Sequence, residues 1–502
     1  MRYNADIHKL IKSLTKSEKR YFKIYAAQHT KNNSNNYLLL FDAIDGQTFY
    51  SEEKLKRKFR NHSFGKKLAN TKFLLYELIV KMQLQLRKGK DVDSKIRDLL
   101  DAVAFHFSKS LYNQAFNSLQ KAKKMAIFFE HCAYWLEALN WERKLLGYAD
   151  QMDTKFSLKS INKEYKEVKE LLKVELNLAA LLQDIRILAE SNQKSPMDQM
   201  LFELELIFQD RLITNYKAKT FLSQLYLNEV DVLQAFMNGD FEQMLSRLNE
   251  MYTLWEKQAE KIAIYPHYFI QFYSTYMIYC TRTRQKGIYY DDLYQKILGL
   301  GKLCGIDKER ILAQVSMHDF VFNLVNDNLE VCSIQIFTIR DLATQKSFEK
   351  LRLIERANLF YQIGVFYFIK KEFREALNWW EKLESFTSRE NISELLVYSY
   401  LLRLAALYGV KNYSEFEILL SCAKSKLETK RKIQPFEKLV LNYFERLKGA
   451  KLFSKERIIF SQFFKAISQM EDENILFKMS GKKAIEAWTK AKASNKQLYL
   501  LN

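Results

Sequence analysis

Residues 360–380 carry the reading that decides the fold: Phe360-Tyr361-Gln362-Ile363-Gly364-Val365-Phe366-Tyr367, a short charged turn, then Phe373-Arg374-Glu375-Ala376-Leu377-Asn378-Trp379-Trp380. Apolar side chains recur at helical spacing on both sides of the turn, and Trp380 extends the inward stripe four residues beyond Ala376. Weaker copies of the turn and second helix occur at Gly239-Asp240-Phe241-Glu242-Gln243-Met244, Lys411-Asn412-Tyr413-Ser414-Glu415-Phe416 and Leu111-Tyr112-Asn113-Gln114-Ala115. From Tyr112 to Phe241 is 129 residues, from Phe241 to Phe373 is 132 and from Phe373 to Tyr413 is 40, which are multiples of one unit of 40 to 44.

Filling the gaps gives a series of turn anchors at Tyr112, Phe156, Met197, Phe241, Tyr289, Leu329, Phe373, Tyr413 and Phe453. The pattern resembles a tetratricopeptide repeat, with a step longer than that family's 34 residues and closer to the roughly 40 to 47 of HEAT-type repeats. The resemblance implies that Gly364 is the small residue where paired helices touch, that Tyr367 and Phe373 pack across the turn, that Ala376 admits the neighbouring helix, and that Trp380 fills the large inward position. It also implies an all-α fold, a superhelical stack of antiparallel helix pairs.

Composition points the same way. Only 13 Gly and 3 Pro occur in 502 residues, against averages of about 7% and about 5%, so long uninterrupted helices are expected. The amino terminus lacks the apolar core of a secretory signal, and no run approaches the roughly 18 apolar residues of a membrane span. A cytoplasmic protein is expected. The five cysteines, Cys132, Cys280, Cys304, Cys332 and Cys422, are odd in number and widely spaced, which fits core packing better than disulfides or a CxxC metal site.

Charge is uneven. Residues 1–90 hold 20 Lys plus Arg against 7 Asp plus Glu, giving +13 of the chain's formal +20. This segment reads as a separate basic helical domain, with helices near 4–14, 16–28, 36–45, 51–60 and 67–87, a capping box at Thr15-Lys16-Ser17-Glu18, a cap at Ser51 and a polar loop over residues 29–36. Residues 91–480 form the repeat region, and 481–502 a capping helix and tail.

The basic run Lys54, Lys56, Arg57, Lys58 and Arg60, followed by Lys66 and Lys67, borders a short break between two helices that resemble a helix-turn-helix. Two readings stay open for it, contact with nucleic acid or another acidic partner, and an ordinary solvated face. Other constellations give no chemistry. Gly299-Leu300-Gly301-Lys302-Leu303-Cys304-Gly305 lacks the Ser or Thr of a phosphate loop and reads as a helix end, with Asp307 capping the next helix. His131 and Cys132 are adjacent on a helix and point about 100° apart, so they cannot act as base and nucleophile. Asp291-Asp292 and Glu52-Glu53 read as solvated faces for the same reason, and the seven histidines show no ligand spacing. No catalytic, cofactor or metal residue is expected. The functional expectation is a non-enzymatic scaffold holding a protein or peptide partner; the alternative is a nucleic-acid-binding regulator with the basic domain on the phosphates and the repeats as sensor or oligomerisation arm.

Overall fold

The computed structural model describes residues 6–28, 36–89, 91–148, 150, 157–191, 217–300, 308–344, 348, 351, 353–387, 394–430, 433, 435–448, 453–470 and 479–494. Among them are twenty-three α-helices and no β-strand. No helix among the described residues is long and apolar enough to cross a membrane. The chain divides into two compact units, residues 1–166 and 167–502, the division falling inside α9 (Leu158–Ser191).

The first unit contains two separate cores. One joins α1 (Asp6–Ser13), α2 (Lys16–Gln28), α3 (Asn36–Asp45), α4 (Glu52–Lys58) and α5 (Leu68–Arg87) around Ile7, Phe22, Phe41, Leu55, Phe59 and Ile79. The other joins α6 (Val92–Ser108), α7 (Tyr112–Phe128) and α8 (Cys132–Leu146) around Ile96, Val103, Ala115, Leu119 and Leu145. Helix starts follow the local chemistry. Thr15 Oγ1 accepts from the Glu18 N–H at 3.2 Å while the Glu18 carboxylate accepts from the Thr15 N–H at 2.7 Å, the reciprocal cap expected there. Ser51 accepts from the Lys54 N–H and caps α4. The polar loop over residues 29–35 lies outside the described residues.

The second unit runs through α10 (Phe221–Asn238), α11 (Phe241–Lys257), α12 (Glu260–Ile264), α13 (Pro266–Thr283), α14 (Tyr290–Gly299), α15 (Lys308–Val325), α16 (Leu329–Thr344), α17 (Leu353–Ile369), α18 (Phe373–Thr387), α19 (Glu394–Gly409), α20 (Tyr413–Lys430), α21 (Pro435–Lys448), α22 (Phe453–Ser468) and α23 (Met479–Ser494). Consecutive helices pack on one another, as neighbours do in a helical repeat. Tyr112, Phe241, Leu329, Phe373, Tyr413 and Phe453 are each the first residue of a helix, and Tyr289 is the residue before α14. Phe156 and Met197 lie outside the described residues.

Six of the turns share one geometry. Ser110, Glu130, Gly239, Asp327, Lys371 and Lys411 all take a left-handed conformation, with φ between 57° and 73°, two residues before the next helix. At the turn after α17, the Lys371 N–H donates to Phe368 O at 3.0 Å and the Glu372 N–H to Tyr367 O at 2.9 Å, closing the helix end in a Schellman motif. The turn after α19 repeats it, with Lys411 N–H on Tyr408 O and Asn412 N–H on Leu407 O.

Within the pair α17–α18, Ala376 and Trp380 are fully buried. The Trp380 indole N–H donates to Tyr361 O at 3.2 Å, and a Cβ on Gly364 would overlap that indole ring. Gly364 is therefore the residue that lets the ring lie against the α17 backbone. The ring facing Phe373 across the turn is that of Phe368, with centroids 5.4 Å apart, whereas the Tyr367 hydroxyl accepts from Arg340 at 3.1 Å. α19 is enclosed on every side: residues 395–408 are buried without a break.

Because Ala376 is fully buried within the helix pair, Ala376→Leu is expected to lower the unfolding free energy by about 1–3 kcal/mol through overpacking. An unchanged denaturation midpoint would contradict the packing described.

Candidate functional site

Lys54, Lys56, Arg57 and Lys58 stand on α4, Arg60 just past its end, and Lys66 and Lys67 in a single 3-10 turn (Gly65–Lys67) that leads into α5; all seven are exposed. Their presentation is set by the apolar residues between them. Leu55, Phe59, Phe64 and Leu68 are buried, with the Phe59 and Phe64 rings 4.9 Å apart, so α4 and the start of α5 are held to one core while their cations face outward. The connection between α4 and α5 is longer than the three or four residues of a helix-turn-helix turn.

Neutralisation within the face is slight. Glu52 lies 3.9 Å from Lys56 and Glu53 3.8 Å from Arg57, at distances and exposures where ion pairs contribute little. Lys54, Arg60, Lys66 and Lys67 have no carboxylate partner among the described residues. On the first turns of α5, beside Lys66 and Lys67, Asn70, Phe73 and Leu74 are exposed.

Two of the acidic pairs read as solvated faces are only partly so. Glu52 accepts from the buried Lys72 ammonium at 2.8 Å and from the Tyr50 hydroxyl at 3.0 Å. Burial opposes ionisation of its carboxyl, but those hydrogen bonds outweigh it and hold the group below the usual carboxylate range. Glu53 stays in solvent. Asp292 accepts from the Tyr252 hydroxyl at 2.6 Å and pairs with Lys296 at 2.7 Å, whereas Asp291 is solvated. Neither pair of neighbours converges, because adjacent helical residues diverge. Lys72 was legible in the sequence only as one more cation; its burial came from its position on the inner face of α5.

The other polar clusters are internal struts. Lys123 pairs with Glu142 at 2.9 Å and Glu164 at 2.7 Å, and the Trp135 indole N–H donates to Glu164 at 2.6 Å. His131 and Cys132 do not converge; the His131 ring faces Asp93, with Nε2 3.4 Å from Oδ1. Among the described residues no group of three or more His, Cys, Asp or Glu is placed to hold a metal. The run from Gly299 enters the described residues only as the end of α14 and Leu300; residues 301–307 lie outside them.

A different surface was not singled out by the sequence. On α16, Val331, Ile334 and Phe337 are 42%, 74% and 69% exposed, an apolar row at helical spacing facing solvent, while Cys332, Ile336 and Ile339 face the core. Its signal was visible as an apolar excess on this helix beyond what one inward stripe requires. No protein-family model, curated protein or solved structure matches the chain.

Burial decides cysteine reactivity. It pushes the Cys280 thiol up to about 11 and the Cys332 thiol up to about 12, while Cys422 is exposed. In a Cys304→Ser background, one thiol is expected to react promptly with a disulfide reagent at neutral pH, and the remaining three only on unfolding. Prompt modification of Cys280 or Cys332 would contradict the burial.

Proposed function

We propose that the chain is a non-enzymatic scaffold: a superhelical stack of antiparallel helix pairs, with residues 1–90 as a separate basic domain, that holds a protein partner on its helical faces. The observation that carries this reading is the row Val331, Ile334 and Phe337 on α16. Three large apolar side chains aligned in water cost free energy that burial against a partner recovers, about 25 cal/mol per Å² of apolar surface removed from solvent. α15 and α17 pack against α16 and hold the row on a formed helix, which limits what is lost to ordering on association. A cytoplasmic residence fits the four described cysteines standing as free thiols.

A second reading, contact with nucleic acid through the basic domain, is favoured by one observation, the exposed cations Lys54, Arg60, Lys66 and Lys67, which have no carboxylate partner among the described residues, beside Asn70 and Phe73. Phosphate neutralisation would follow from charge alone; sequence choice would need the side chains at the start of α5.

Affinity capture with the purified full chain, in parallel with an Ile334→Ser, Phe337→Ser variant and with or without nuclease, separates these readings. The scaffold reading expects a stoichiometric protein that survives nuclease and is lost with the variant, whose stability should change by no more than about 0.5 kcal/mol for exposed positions. Loss on nuclease treatment would transfer the function to the basic domain. In that case Lys54→Ala, Arg60→Ala, Lys66→Ala and Lys67→Ala together should reduce the slope of log K against log salt by about one unit per lost phosphate contact.

A further inference from the structure

The basic domain holds α5 by one side only. Leu75, Ile79 and Met82 are fully buried in its core, and the helix packs on α2 and α3. The opposite side carries three large apolar residues in water: Phe73 is 39% exposed, Leu74 41% and Leu84 63%. It also carries four exposed lysines, Lys81 among the apolar residues, Lys66 and Lys67 at the amino end and Lys88 just past the carboxyl end. At 3.6 residues per turn Phe73, Leu74, Lys81 and Leu84 lie within one arc of about 100°, so apolar and cationic side chains share a single face. None of the four lysines has a carboxylate partner among the described residues. The only acidic residue of α5 is Glu77, which is half-buried.

This face is complementary to a polyanion, and its make-up discriminates among polyanions. A nucleic-acid groove is read by side chains that hydrogen-bond to base edges; here only Asn70 and Gln85 are of that kind, and large apolar groups occupy the middle of the helix. Protein interfaces are depleted in lysine, whose ammonium is strongly hydrated. The surface of an anionic bilayer accepts both kinds of residue together. Apolar side chains sink below the headgroups, while lysine stems lie along apolar surface and keep their ammonium groups at the level of the phosphates. Because α5 is packed along its inner side, its twenty residues, about 30 Å, would meet such a surface lengthwise and already folded.

We propose that the outer face of α5 is a peripheral membrane-binding surface that lies flat on an anionic phospholipid bilayer, with Phe73, Leu74 and Leu84 entering the headgroup layer and Lys66, Lys67, Lys81 and Lys88 on its phosphates. The contact is peripheral and involves no membrane span. It goes beyond the scaffold reading and uses none of the residues of the row on α16, so either can fail alone. Neither half of the face suffices by itself. Three partly exposed side chains remove little apolar surface from water, and charge alone is screened over a Debye length of about 8 Å at physiological salt. Binding therefore requires both anionic lipid and the apolar residues.

The test is co-sedimentation of the full chain with vesicles of phosphatidylcholine alone and with vesicles containing about 30% phosphatidylserine, at about 0.15 M salt, with binding of a random duplex DNA measured in parallel. The chain is expected to bind the phosphatidylserine vesicles at least about tenfold more strongly than phosphatidylcholine alone. Lys66→Gln, Lys67→Gln, Lys81→Gln and Lys88→Gln together should remove that preference. Phe73→Ser, Leu74→Ser and Leu84→Ser together should weaken vesicle binding at least about tenfold while leaving DNA binding, which needs only the cations, unchanged. Circular dichroism shows whether this triple variant keeps its helicity. If it does not, Leu84→Ser alone, at the most exposed of the three positions, is expected to lower vesicle affinity about threefold. Absence of vesicle binding, equal binding to the two lipid compositions, or unchanged binding by the folded serine variant overturns the membrane surface. Binding to duplex DNA that is lost with the serine variant, in a chain that ignores vesicles, would assign the face to nucleic acid instead.

Discussion

At six turns the residue two before the next helix adopts a left-handed backbone, and where the closure is complete two main-chain N–H groups fold back onto the last carbonyls of the helix just finished. This closure satisfies carbonyls that would otherwise face solvent unpaired, and it reverses the chain within two or three residues. Everything else depends on that reversal. Only a tight turn lays the inward stripe of one helix against the next, so that Trp380 reaches the α17 backbone and Ala376 is buried within the pair. Five of the six left-handed residues are not glycine, a conformation that costs roughly 1–2 kcal/mol each. The surrounding packing must supply that energy, which makes turn and core mutually dependent.

Enclosure grows along the second unit. Among the described residues α16 packs on α15 and α17 and leaves Val331, Ile334 and Phe337 in water, whereas α19 has α18 and α20 on its flanks, α17 and α21 beside it and α23 across it. Even Arg403 is drawn into this environment, where its guanidinium pairs with Glu384 at 2.5 Å. The difference between these two helices is the difference between an open face and an occupied one. One face is exposed, and the other is already covered by a helix.

Much of this was legible before any coordinates. The aromatic or leucine that begins each second helix sits at a regular step, because the same turn must recur wherever the same packing recurs, and six positions of that series open helices. Gly364 was legible as a small residue at the helix contact and Trp380 as a large inward one, while their contact with each other appears only in the structure. The left-handed turn residues were not, because a search for helix ends looks for glycine, and Ser110, Glu130, Asp327, Lys371 and Lys411 carry no such mark. Nor was the packing partner of Tyr367, which depends on where Arg340 of the preceding helix lands. In the candidate surfaces, charge placed the basic run correctly on the outside, while the burial of Lys72 and the pairing of Glu52 and Asp292 depend on tertiary neighbours that spacing does not encode. Residues 481–502 read as a capping helix and tail; the small face of α23 and Gly481 acquire meaning only against Tyr361 and Tyr398.

Amide hydrogen exchange resolved along the intact chain tests the central claim, that stacked helix pairs enclose α19 beneath a docked α23. The account predicts that the amides of residues 395–408 fall in the slowest-exchanging class, opening only with global unfolding, and that those of residues 481–492 are protected but open earlier, by release of α23 alone. Exchange of residues 395–408 at the rate of a one-sided helix such as α16, or no protection at all across residues 481–492, would contradict it.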